Sequence, residues 1–145
     1  MEELVKLLDE SLEYIEHEIF DGIIYIQVAS IHESAFCPYC GTESHRIHSR
    51  YERRFQDLPI QGKKVEIILN NRKYFCENPA CTQKTFAESF SCLPFKGKRS
   101  KRLTEEIVRF SMEVSAVTAS ALLRKGVAKV GKSTICNLLK KQKQT

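Results

Sequence analysis

The sequence predicts an α+β fold: a small antiparallel β domain carrying two close pairs of cysteines, followed by a domain of three helices. Three observations carry this. Strand-like alternation dominates up to about residue 95, with no crossover helix of the kind a parallel sheet needs. Helical spacing takes over beyond residue 102. Between them, Lys96-Gly97-Lys98-Arg99-Ser100-Lys101-Arg102 places five bases in seven residues with no apolar side chain. The boundaries follow: residues 1–95, a basic linker at 96–102, and residues 103–145.

The elements can be taken in order. Leu4, Leu8 and Leu12, with Val5 and Leu7 beside them, predict a short amphipathic helix over residues 2–12. Residues 14–20 and 23–31 read as strands joined by Asp21-Gly22, a two-residue hairpin signal because a type I′ turn needs φ > 0 twice. After Cys37-Pro38-Tyr39-Cys40-Gly41, Ile47, Tyr51 and Phe55 face one way and Arg46, Arg50 and Arg54 the other, with Arg53 beside them. Residues 58–62 break the chain. Val65, Ile67 and Leu69 then alternate along a strand, and Asn70-Asn71 suits a turn into residues 72–76. In the C-terminal part Leu103, Ile107, Phe110 and Val114 form a helical seam, with Thr104 as cap and Glu105 and Glu106 in the first turn. A small-residue helix over 115–125 ends at Gly126, and residues 132–142 bury Ile135, Leu138 and Leu139.

Composition narrows the function classes. The chain has 145 residues, 42% hydrophobic and 28% charged, which suits a folded domain and not a disordered tail. No apolar run approaches the roughly 18–20 residues of a membrane span, and the acidic start lacks the features of a secretory signal. A soluble cytoplasmic protein without a membrane partner is expected, and its six cysteines should be free or metal-bound in that reducing compartment. Residues 1–21 carry eight acids against Lys6, whereas the rest has 22 Lys and Arg against 10 Asp and Glu. A polyanion is the natural partner for such a surface.

Cys37-x-x-Cys40 and Cys76-x-x-x-x-Cys81 are separated by 35 residues of strand meander. Two short loops on neighbouring hairpins can supply the four tetrahedral ligands that Zn²⁺ wants, and four protein ligands make the ion structural. Hence the first domain is expected to be zinc-ribbon-like. A redox Cys-x-x-Cys would need a βαβ context. A knuckle of Cys37, Cys40, His45 and His48 would meet Arg50 where a last cysteine belongs, and would leave Cys76 and Cys81 unemployed. Cys92 and Cys136 have no close partner in sequence and read as packing residues.

Two further patterns concern the C-terminal part. Gly126–Ser133 matches G-x-x-x-x-G-K-S letter for letter, but a phosphate-binding loop requires a buried strand ahead of it, and a helix is predicted there. No small-molecule substrate is therefore expected. Three short helices with a sharp turn before the last are the arrangement of a helix-turn-helix, whose final helix enters the major groove. Its exposed face would offer Lys132, Ser133, Thr134, Asn137, Lys140 and Lys141, with Lys96, Lys98, Arg99, Lys101 and Arg102 of the linker lying along phosphates. An ordinary three-helix bundle with a solvated basic face is the alternative.

The order of Cys-Pro-Tyr-Cys-Gly (37–41), His48-Ser49-Arg50-Tyr51-Glu52-Arg53, Asp57-Leu58-Pro59-Ile60-Gln61-Gly62, residues 74–81 and Lys84-Thr85-Phe86-Ala87-Glu88 resembles the N-terminal region of the ISL-three family of insertion-sequence transposases. The resemblance extends over about residues 10–142. It implies zinc on Cys37, Cys40, Cys76 and Cys81, a helix-turn-helix over 103–142, and double-stranded DNA as partner, in particular the terminal inverted repeats of a mobile element. A second copy or a full-length transposase would be the protein partner, in the bacterial nucleoid. The family's Asp/Asp/Glu domain has no counterpart here, since the three aspartates are Asp9, Asp21 and Asp57. The expectation is a chain that binds DNA and cuts nothing. A free-standing transcription regulator and a zinc-ribbon adaptor that binds only protein are the rival functions.

Overall fold

A computed structural model describes residues 1–114, 116–128 and 131–143. Its elements run α1 (Glu2–Leu8), β1 (Leu12–Phe20), β2 (Ile23–Ser30), β3 (Ala35–Phe36), β4 (Glu43–Ser44), β5 (Ile47–Ile60), β6 (Lys63–Phe75), β7 (Thr85–Ala87), α2 (Lys101–Ser111), α3 (Ala116–Gly126) and α4 (Lys132–Lys143). This is the expected α+β class. One sheet has the order β1-β2-β6-β5 with β7 paired to β6, and β3 and β4 form a separate two-stranded sheet. The β6–β7 pairing is antiparallel, with Tyr74 opposite Phe86.

The chain divides into two compact units. Unit 1 comprises Met1–His17, Ile26–Arg54 and Ile68–Ser91; unit 2 comprises Glu18–Tyr25, Phe55–Ile67 and Cys92–Thr145. The expected boundaries at residues 95 and 103 do not coincide with this division. Strands β5 and β6 are 14 and 13 residues long and each supplies a stretch to both units.

Within unit 1, Asp9 ends α1, and its carboxylate accepts from the backbone N–H and hydroxyl of Ser11. The helix buries Val5 while Leu4 and Leu7 stay exposed, and Leu12 belongs to β1, so the expected Leu4-Leu8-Leu12 stripe is not the buried one. Asn70-Asn71 is not a turn. Both lie inside β6, where Asn71 is fully buried and its Nδ2 donates to the Tyr51 hydroxyl (3.0 Å) and the Glu88 carbonyl (3.4 Å). Buried Glu88 in turn accepts from Ser30 Oγ (2.6 Å) and pairs with Arg72 (3.3 Å).

Two tight turns shape the long hairpins. Asp21 and Gly22 have φ of 53° and 74°, as expected of type I′. Gln61 and Gly62, at 48° and 76°, repeat the same turn between β5 and β6, so residues 58–60 are strand, not a break.

Unit 2 gathers α2, α3 and α4 around Leu103, Ile107, Leu123, Ala128 and Ile135, with Leu58, Phe110, Val114, Val127, Leu138 and Leu139 packed against them. Both predicted apolar seams are present. Ser115, the expected start of the second helix, lies outside the described residues. The N-cap of α2 is Ser100, not Thr104, and this displaces Glu105 and Glu106 from the first turn. The reason is Asp57, which lies buried in β5 and not in a turn. Its Oδ1 accepts from Ser100 Oγ (2.7 Å), leaving that hydroxyl oxygen to accept from the Leu103 N–H (3.2 Å). Arg102 closes a bidentate pair on the same carboxylate at 2.9 and 2.6 Å. Backbone bonds from Gln56 to Lys98 and from Ser100 to Gln56 complete the junction.

Asp57→Ala should therefore cost about 3 kcal/mol, because it strands a buried hydroxyl and a charged fork together. Ser100→Ala should cost about 1 kcal/mol, the usual worth of a cap. Urea unfolding of both variants checks the order.

Candidate metal centre

Two hairpins of unit 1 carry the cysteines. Cys37 directly follows β3, and the loop to β4 is a tight knuckle: the Gly41 N–H donates to Cys37 O (2.8 Å) and the Cys37 N–H to Thr42 O (3.0 Å). Gly41 has φ of 78°, a conformation that L side chains rarely adopt. Cys76 directly follows β6. In the second loop the Asn78 carbonyl accepts from the Cys81 N–H (3.1 Å), and its side-chain oxygen from the Ala80 N–H (3.0 Å).

These loops bring Cys37, Cys40, Cys76 and Cys81 together, with all four Sγ atoms within 4.8 Å of one another. Cys37 and Cys81 are 3.9 Å apart and Cys40 and Cys76 3.6 Å. A tetrahedron with Zn–S bonds of about 2.3 Å has edges of about 3.8 Å, whereas a disulfide would need about 2.05 Å. The donor set and spacing fit Zn²⁺. Such an ion would be held by Cys37, Cys40, Cys76 and Cys81 and would cross-link the two hairpins; with four protein ligands no position is left for a substrate water.

The local electrostatics explain why a cation is wanted. Side-chain and backbone hydrogen bonds from Thr42 favour the Cys40 thiolate and bring its pKa down to about 6. At Cys76 the Asn78 backbone favours the thiolate. Desolvation and hydrogen bonds with the other three thiols outweigh it and push the pKa up to about 12. Cys81 is raised too, against the pull of the Gln83 backbone. The thiolate is thus favoured at Cys40 and disfavoured at Cys76 and Cys81. Around it pack Tyr74, Phe86, Ala35 and Ile47, with Tyr74 stacked on Phe86 at 5.8 Å.

The rival ligands lie elsewhere. His48 meets Phe75 edge-on at 4.8 Å, and His45 sits beside Glu43; neither joins the four sulfurs. Cys92 is buried and Cys136 half-buried, both outside the cluster. The G-x-x-x-x-G-K-S pattern is preceded by helix α3 and not by a strand, and its Lys129 and Val130 lie outside the described residues.

The residues expected to touch DNA fall into two groups within unit 2. On α4, Lys132, Ser133, Asn137, Lys140 and Lys141 are exposed and Thr134 is half-buried, with Ile135 facing the core. In the basic segment Lys96, Lys98 and Lys101 are exposed. Arg99 is half-buried and bridges to Gln56 through its backbone, and Arg102 is occupied by Asp57. Sequence reasoning missed Asp57 and Thr42 as supporting residues. Asp57 was readable only as a residue two along from buried Phe55 on the same strand face; Thr42 carries no spacing signal.

Residues 33–81 match the family model for the zinc-finger of transposase IS204/IS1001/IS1096/IS1165. That is about a third of the chain and includes all four clustered cysteines. This stretch is similar to an ISL-three-type zinc ribbon. No curated protein and no solved structure matches the chain.

Purified without chelator, the protein should carry about one Zn²⁺ per chain by elemental analysis, and Cys76→Ser should abolish it. At free zinc a hundredfold above Kd the ion should add about 2.7 kcal/mol to stability, removed by a chelator and read by thermal unfolding. Binding must expel thiol protons, so zinc affinity should fall as pH is lowered from 8 to 6. Competition with a chromophoric chelator at the two pH values checks the sign.

Proposed function

We propose that this chain is a DNA-recognition region of an insertion-sequence transposase, with unit 1 stapled by zinc and the helices of unit 2 acting as a helix-turn-helix that reads the terminal inverted repeats. The match of residues 33–81 to a transposase zinc-finger carries the reading. The charge balance from residue 22 onward, with 22 Lys and Arg against 10 Asp and Glu, supports a polyanionic partner. The face of α4 supports it further, offering polar and basic side chains opposite buried Ile135.

In this reading α4 lies in the major groove. Ser133, Thr134 and Asn137 reach base edges, and Lys132, Lys140 and Lys141 sit on phosphates. Lys96, Lys98 and Lys101 add sequence-independent attraction. The region recognises DNA and does not cut it. A zinc site closed by four thiolates leaves no position for a substrate water and so supports a structural part for that ion.

A gel shift of the intact chain on element ends, against promoter and random duplexes, tests this. Preference for element ends, weakening with salt, is expected; equal affinity at low and high salt would return the chain to the adaptor reading. Asn137→Ala should cost about 1–3 kcal/mol on the cognate site and relax specificity there, since its amide can donate and accept toward adenine together. Lys140→Ala should weaken cognate and random DNA alike.

A further inference from the structure

We propose that one face of β5 within unit 1, formed by Arg46 just before the strand with His48, Arg50 and Arg54 on it, is a second DNA-contacting surface that grips backbone phosphates. The proposal rests on the reading of the chain as a DNA-binding protein and names how its zinc-stapled unit takes part. Successive side chains of a strand point to opposite faces, so these even-numbered residues share one side. All four are exposed; on the opposite side Ile47, Ser49 and Arg53 are half-buried and Tyr51 is exposed.

The stripe is nearly unopposed in charge. Among the described residues no ion pair engages Arg46 or Arg50. Arg54 pairs with Glu52 at 3.0 Å, but both are half-exposed, and such a surface pair is weak enough to yield to a phosphate. Arg46 is also held in place: its guanidinium lies 4.6 Å over the Phe75 ring, which His48 meets from the side. A stacked guanidinium keeps its N–H fork outward and loses less freedom on binding than a loose lysine. Phe75 is followed directly by the zinc ligand Cys76, so the metal centre fixes the platform on which Arg46 rests.

Dimensions agree with a DNA backbone. At about 3.3 Å per residue, Arg46 to Arg54 spans about 26 Å. The roughly 3.4 Å advance per phosphate is measured along the duplex axis while the strand winds round it, so a straight stripe of this length reaches the few phosphates that face it. A charged edge strand also deters strand pairing, but either sign serves that purpose. The other edge, β1, does so with Glu13, Glu16 and Glu18. Arginines nearly alone on β5 point to an anion.

The test compares the intact zinc-loaded chain with Arg46→Gln/Arg50→Gln and, as a charge-matched control, Lys63→Gln/Lys64→Gln. Affinity for element-end and random-sequence duplexes is measured across a salt series. The stripe variant should lose affinity equally on both duplexes, and its log–log salt slope should be shallower by about 1.8, at about 0.9 per phosphate released. Arg46→Lys/Arg50→Lys should keep most of the slope, which separates lost charge from a damaged fold; zinc content and thermal unfolding check the fold directly. An unchanged slope in the glutamine variant, while the parent binds, would overturn the stripe alone. So would an equal loss in the lysine control, which would mean that net charge is all that matters. A parent without salt-dependent DNA binding would overturn both this proposal and the reading beneath it.

Discussion

Four sulfurs within 4.8 Å of one another are the constraint on which unit 1 depends. Strands β3 and β4 have two residues each, too few to persist as an isolated hairpin. Their loop reaches the β6–β7 hairpin through Cys40 and Cys76, with 35 residues between them in the chain. A metal clip over so long a loop removes much of the freedom of the unfolded chain, which is where such links stabilise most. The effect also spreads along β6. Tyr74 is buried beneath the cysteines against Phe86, while its neighbour Phe75 lies beneath Arg46.

Unit 2 has an equivalent point in Asp57. A single buried carboxylate receives the capping serine and the guanidinium of the first helical turn, so it sets where α2 begins. Arg102 therefore keeps its proton more firmly than usual, chiefly through its hydrogen bonds to Asp57. Five bases in seven residues look like one electrostatic feature in sequence, yet the fold divides them. Arg102 is spent on Asp57 and Arg99 is drawn toward β5, whereas Lys96, Lys98 and Lys101 stay at the surface. Counting charges overstates what such a segment can offer an anion.

Local chemistry was readable in the sequence, and long-range partnership was not. The cysteine spacing, Asp21-Gly22 and the helical seams depend on residues a few positions apart, and each stands where it was expected. Asn71 reads as a turn former because its preference for strand comes only from Tyr51 and Glu88, 20 and 17 residues away. Thr104 is as good a cap by type as Ser100, and Asp57, 43 residues upstream, decides between them. Gln61-Gly62 was legible in principle, but Pro59 hid it by suggesting a break within what is the end of a continuous strand.

The buried carboxylates each have partners within the fold. Asp9 is committed to Ser11 and Ser91, Asp57 to Ser100 and Arg102, and Asp21 occupies a hairpin turn with positive φ. Glu88, the buried glutamate, answers Arg72 and Ser30. Asp9, Asp57 and Glu88 are thus tied into the fold through their side chains. Other acids, Glu13, Glu16 and Glu18 of β1 among them, are exposed, as are lysines on α4 and Arg50 and Arg54 on β5. The excess of 22 Lys and Arg over 10 Asp and Glu from residue 22 onward is what favours a polyanion in the proposed reading, in which specificity would rest on the few neutral polar groups of α4, above all Asn137, set among its bases.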